Sequence, residues 1–174
     1  MPGLKISILQ QPLVWMDGPA NLRHFDRQLE EITGRDVIVL PEMFTTGFAM
    51  EAAKQSMPQE EVVAWMHAKA QQTNALIAGS AALQTERGPV NRFLLVEPEG
   101  KVHFYDKRHL FRMADEHHHY EAGNERVVFL SGAASDHLYS ILLDTPPADQ
   151  IERDAEGHEG EIGGISAPAT LELR

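Results

Sequence analysis

The sequence contains no cysteine. This excludes disulfides, thiolate metal sites and a thiol nucleophile from the chain, because each needs a sulfur that can be oxidised or deprotonated. Long apolar runs are missing too: no stretch reaches the roughly 18 residues of a bilayer span. The start Met1-Pro2-Gly3-Leu4-Lys5 lacks the succession of charged, apolar and small residues that marks a secretory leader. The chain is therefore expected in the cytoplasm, without a membrane partner. Positive charge is also scarce. The 15 Lys and Arg against 26 Asp and Glu leave a net charge of -11, the wrong sign for a nucleic-acid partner, whose affinity comes from clustered basic side chains. No glycine-rich phosphate loop follows the first apolar segment, where the chain reads Gln10-Gln11-Pro12-Leu13, and this disfavours a dinucleotide-binding fold.

What is present suits one globular domain of ordinary size: 174 residues, 43% of them hydrophobic. Charge divides it unevenly. Residues 1–130 carry 17 acidic and 13 basic side chains, whereas residues 131–174 carry 9 acidic and 2 basic. A domain over residues 1–130 is expected, followed by a divergent acidic tail over 131–174, mostly disordered apart from a short element at Ile141–Leu143.

Leu4, Ile6 and Ile8 alternate with polar Lys5 and Ser7, the period of a strand. Asn21 is placed to cap a helix whose apolar residues Leu22, Phe25, Leu29 and Ile32 recur at helical steps, with Gly34 ending it. Val37-Ile38-Val39-Leu40 reads as a buried strand closed by Pro41. A second helix is expected between Pro58 and Asn74, then a strand over Ala75–Ser80. The apolar segments Asn91–Val96 and Lys101–Tyr105 flank Pro98-Glu99-Gly100 as a hairpin, and Arg126–Leu130 starts one more strand. The order of strand, helix and buried strand predicts an α/β fold.

Three side chains stand out chemically. Glu42 directly follows a buried strand, and in open α/β sheets ligands gather at strand carboxyl ends. A carboxylate half sunk among apolar neighbours there tends to a raised pKa suited to proton transfer, although such a glutamate is commonly just a solvated loop residue. Lys107 ends the second hairpin strand, where a fixed cation can stabilise an oxyanion during acyl transfer; taken alone, Asp106-Lys107-Arg108 is more often a solvated charge cluster. The run Asp115-Glu116-His117-His118-His119-Tyr120-Glu121 offers metal-ligand types. Adjacent residues diverge on a helix or strand, however, so the histidines converge only in an irregular loop. No metal or other cofactor is assigned to the cluster, and Glu116 is its most informative member.

Leu40-Pro41-Glu42-Met43-Phe44 resembles the first catalytic motif of the nitrilase-superfamily carbon-nitrogen hydrolases, and Tyr105-Asp106-Lys107-Arg108-His109-Leu110-Phe111 resembles the second. Glu116, seven positions before Gly123, matches a further family glutamate that positions the lysine and the substrate. Ile8-Leu9-Gln10-Gln11, Ala78-Gly79-Ser80 and Asn91-Arg92 also fit, so the resemblance covers residues 1 to about 129. Within the superfamily the chain looks most like the bacterial omega-amidases. The resemblance implies the first half of an αββα sandwich, with Glu42, Lys107 and Glu116 as catalytic residues. It also implies hydrolysis of the terminal amide of 2-oxoglutaramate or 2-oxosuccinamate through a cysteine thioester, without a cofactor. The family cysteine would fall near Ile141–Asp144, which holds none, and Ser140 is no replacement because a hydroxyl is far less acidic than a thiol. The chain is accordingly expected to be inactive and truncated, its tail explained by a frameshift or rearrangement, with family dimerisation in doubt. A non-catalytic binding remnant and a non-functional product are the rival readings. Glu42 and Lys107 are expected to converge, with Glu116 beside Lys107, in a mouth open to water.

Overall fold

Val37, Ile38 and Val39 carry stiff β-branched side chains that suit a pleated, buried surface, and they form the second strand of a five-stranded sheet. The structure is a computed structural model that describes residues 5–125, 127–131 and 139–143. In chain order the sheet comprises β1 (Ile6–Ile8), β2 (Val37–Val39), β3 (Leu76–Thr85), β4 (Gly88–Val96) and β5 (Val102–Asp106), hydrogen-bonded in that same order. The first three run parallel, and β3, β4 and β5 form an antiparallel meander. Two crossover helices, α1 (Gly18–Leu29) and α2 (Gln59–Thr73), cover one face. A separate antiparallel pair joins β6 (Val127–Ser131) to β7 (Tyr139–Leu143), in register Val127 to Leu143.

The main core lies between sheet and helices, where Phe25 and Leu29 of α1 and Val62, Met66 and Ala70 of α2 meet Ile38, Ile77 and Leu94. A hydrogen bond from the Trp65 indole to Asp26 (3.0 Å) and an ion pair from Lys69 to the same carboxylate (2.7 Å) join the helices. On the opposite face Val37, Leu76, Ala78, Leu95 and Tyr105 pack together, with Val127 of β6 against them. The described layers are thus one helix layer and one sheet layer of the expected α/β sandwich.

The structure corrects several details. The α1 cap is Asp17, whose carboxylate accepts from Ala20 N–H at 2.9 Å. Asn21 is instead buried in the first turn, where its amide grips Val14 N–H (2.7 Å) and the carbonyls of Val14 (2.8 Å) and Thr45 (2.9 Å). It thereby ties the segment after β1 to the loop that carries Glu42. The helix ends at Leu29, so Ile32 and Gly34 lie beyond it. Ile6 and Ile8 sit in register beside Val37 and Val39 on the face away from the helices and remain 37% and 54% exposed, as residues of an edge strand. The expected strands over Ala75–Ser80 and Asn91–Val96 extend to Thr85 and from Gly88, forming a second long hairpin. Most of the acidic tail, including 144–174, lies outside the described residues, as does the expected disorder there; the element at Ile141–Leu143 falls within β7.

Candidate active site

Strands β2 and β5 point the same way, because two antiparallel reversals separate β3 from β5. Glu42 after β2 and Lys107 after β5 therefore leave the sheet at the same end. The two strands are three spacings apart, about 14 Å at 4.7–4.9 Å each, so the chain must cross the sheet end for the residues to meet. It does so after Val39. Leu40 N–H donates to the Ala78 carbonyl (2.7 Å), Met43 N–H to Ser80 Oγ (3.0 Å) and Phe44 N–H to the Ser80 carbonyl (2.9 Å). Gly79 permits this close crossing, since a Cβ there would stand 2.9 Å from the Leu40 Cβ. At the other end Gly123 N–H donates to the Lys107 carbonyl (3.0 Å), and a Cβ on Gly123 would collide with the Asp106 carbonyl oxygen. Arg92 fixes the neighbouring Asp106 with two bonds of 2.6 and 2.9 Å.

The three expected residues come together. Lys107 Nζ donates to Glu42 Oε1 at 2.8 Å across 65 positions of sequence and to Glu116 Oε2 at 2.9 Å. Asn91 of β4 lies between the two carboxylates and is almost wholly buried, and its amide donates to Glu42 Oε1 (2.8 Å) and Glu116 Oε1 (2.9 Å). The Phe111 N–H completes the set by donating to Glu116 Oε2 at 2.6 Å. The sequence marks Asn91 only as the start of the hairpin segment Asn91–Val96 and as part of the matching Asn91-Arg92. A buried asparagine in a strand, where the residue is disfavoured, was the available signal for its role.

The partners distinguish the carboxylates. Glu116 is fully buried, both its oxygens accept hydrogen bonds, and it is not among the residues that line the pocket. The Glu42 side chain is 49% exposed rather than half sunk in apolar surroundings. Among the described residues its Oε2 accepts no hydrogen bond, so that oxygen is available to take a proton. An ammonium has three donors, and Lys107 spends two on the glutamates, leaving one for the pocket. Burial lowers the Lys107 pKa, but the hydrogen bonds and charges of Glu42 and Glu116 outweigh it and raise the pKa overall. Lys107 is therefore a fixed cation at neutral pH and cannot serve as a base. The pocket of about 560 Å³ is lined by Glu42, Phe48, Lys107, His109, Leu110, Phe111 and Arg112, and the Phe48 ring centroid lies 5.3 Å from Lys107 Nζ.

Tyr120 braces the loop from below, donating its hydroxyl to the Ala49 carbonyl at 3.0 Å. Burial, then the charges of Glu116 and Glu51, raise its pKa. Both Lys107 and Tyr120 thus hold their protons more tightly folded than unfolded, so stability is full below their unfolded pKa values and falls as pH rises past about 10. Denaturation titrated from pH 8 to 11 is expected to show this fall, and Tyr120→Phe to make it shallower. An equal slope in the variant would remove Tyr120 from the account.

The carbon-nitrogen hydrolase family profile matches residues 5–142, and the chain belongs to that family. It is 83% identical over 128 residues to Omega-amidase YafV of Escherichia coli K12, covering 74% of this chain and 50% of the relative. The same coverage holds for the Omega-amidase YafV of Yersinia enterocolitica, at 64% identity. A 2-oxoglutaramate amidase of Bacillus subtilis is 30% identical over 76% of the chain and 54% of its own length. Among solved structures, a CN-hydrolase superfamily protein from Xanthomonas campestris with an arsenic adduct in its active site superposes with a TM-score of 0.72. It is 40% identical, over 74% of this chain and 49% of that one. The chain spans about half the length of the curated relatives it matches. Among the described residues, no helix is long and apolar enough to cross a membrane.

Proposed function

We propose that Glu42, Lys107 and Glu116 form the acid-base half of an omega-amidase centre for 2-oxo acid amides such as 2-oxoglutaramate, and that this cysteine-free chain does not complete the reaction. The observation that carries the reading is the bridging of two sequence-distant glutamates by one lysine at the mouth of a pocket. The named omega-amidase relatives support the substrate class. In the complete reaction a thiol gives up its proton and attacks the amide carbon, ammonia leaves from the tetrahedral intermediate carrying that proton, and water then opens the thioester to the carboxylate and restores the thiol. Glu42 supplies the proton acceptor through Oε2. Lys107 aims its remaining N–H at the developing oxyanion, a donor contribution of roughly 3–4 kcal/mol. Glu116 is a positioning residue that holds Lys107 in place, and Asn91 keeps the two carboxylates apart while satisfying both.

Binding without turnover is the second reading, favoured because the pocket is assembled in a chain that contains no cysteine. Arg112 on the pocket wall supplies the planar cation that a 2-oxo acid carboxylate requires. Calorimetric titration with 2-oxoglutaramate is expected to give a saturable heat that weakens at least tenfold in Arg112→Ala. No heat from the unsubstituted chain would leave a non-functional product as the remaining reading.

A further inference from the structure

The histidine run stands beside the amidase machinery without taking part in it. A strand or α-helix would splay its side chains, yet the chain here is neither of these. Two single-turn 3-10 segments, Arg112–Ala114 and Glu116–His118, flank Asp115, whose φ of +56° reverses the local curl. The reversal sends Glu116 inward to Lys107 and gathers Asp115, His117 and His118 together. One potential ligand atom from each of these three lies within 4.8 Å of the other two. The rings of His117 and His118 lie with centroids 3.9 Å apart. Nδ1 of His117 is buried with no hydrogen-bond partner among the described residues, and a buried polar atom of that kind calls for a partner.

We propose that Asp115, His117 and His118 bind one divalent transition-metal ion of the zinc class, at a site separate from the amide pocket. Two imidazoles and a carboxylate are borderline ligands of the kind such ions prefer, and three protein ligands leave a position for water. Ligand atoms around a tetrahedral zinc ion stand about 3.4 Å apart, given bonds of about 2.1 Å. The observed spacing of up to 4.8 Å is wider than that, and the exposed side chains of Asp115 and His118 are the ones that must rotate to close it. A metal bond at Nδ1 of His117 would satisfy the orphaned nitrogen. The ion would clamp the turn on both sides of Glu116, and so brace the group that holds Lys107. Nothing in the proposal depends on the amidase reading.

His119 supplies the internal control, because it belongs to the same histidine run but not to the converging set. Calorimetric titration of the full chain with Zn2+ is expected to show one bound ion per chain, with a thermal stabilisation that follows occupancy. Asp115→Asn and His118→Leu should each weaken binding at least tenfold, while His119→Leu should leave it within twofold. Asparagine tolerates the positive φ at 115, and residues 115, 118 and 119 are exposed, so the three variants are expected to fold. Circular dichroism checks that they do. Absence of binding, survival of binding in both Asp115→Asn and His118→Leu, or an equal loss in His119→Leu would each overturn the proposal. The last result would mean that an exposed histidine run binds the ion without a built site.

Discussion

Glu116→Ala is expected to lower the unfolding free energy by about 3 kcal/mol, the lower end of the range for removing one partner from a buried charged pair. Glu116 is wholly buried and its carboxylate accepts from Lys107, Asn91 and the Phe111 amide. Truncation removes an acceptor from all three donors at once. Lys107 retains Glu42, and its side chain is 26% exposed, so water and the second glutamate relieve part of the loss. Asn91 also keeps its bond to Glu42, but it loses its buried bond to Glu116 and the part-buried Phe111 N–H loses its acceptor, and each unsatisfied donor costs about 1–3 kcal/mol. Glu116→Gln keeps the volume and an acceptor for Lys107 and is expected to fall between the variant and the unsubstituted chain. Urea denaturation measures both, with an unchanged m-value indicating that stability rather than compactness moved. A loss within about 0.5 kcal/mol for Glu116→Ala, the size of an ordinary surface substitution, would mean that the buried carboxylate does not organise the loop.

Most of the site was legible because its residues sit in short, distinctive motifs. Leu40-Pro41-Glu42 and Asp106-Lys107-Arg108 mark strand ends, and the structure brings those strand ends to one side of the sheet. Asn91 carries no such mark, for its role depends on which strand lies between β2 and β5, a property of the sheet order rather than of local pattern. The cap of α1 differs from the expected Asn21 for a local reason. Both Asp17 and Asn21 precede apolar helical spacing, and only Pro19, inside the first two helical positions, points to the earlier cap. The β3–β4 hairpin was underestimated because Glu86-Arg87 is not a standard turn pair and Pro89 resembles a strand breaker. Pro89 is tolerated because it lies at the hairpin end, opposite Gln84. The convergence of Asp115, His117 and His118 was invisible for a related reason: a single positive φ at Asp115 decides it.

The second large effect concerns turnover. The chain presents Lys107 as a donor and Glu42 Oε2 as a proton acceptor, but contains no thiol. On the proposed reading, these groups without a nucleophile would only bind and polarise an amide. A serine or water nucleophile holds its proton several pKa units more tightly than a thiol near 8.5, so either one asks more of Glu42 than the absent thiol would. The direct measurement is ammonia release from 2-oxoglutaramate by the purified chain, run beside its Glu42→Gln variant. The account predicts background rates from both. Ammonia released by the unsubstituted chain at a rate that vanishes in Glu42→Gln would contradict it, because Glu42 would then be serving a nucleophile that this reading says is missing.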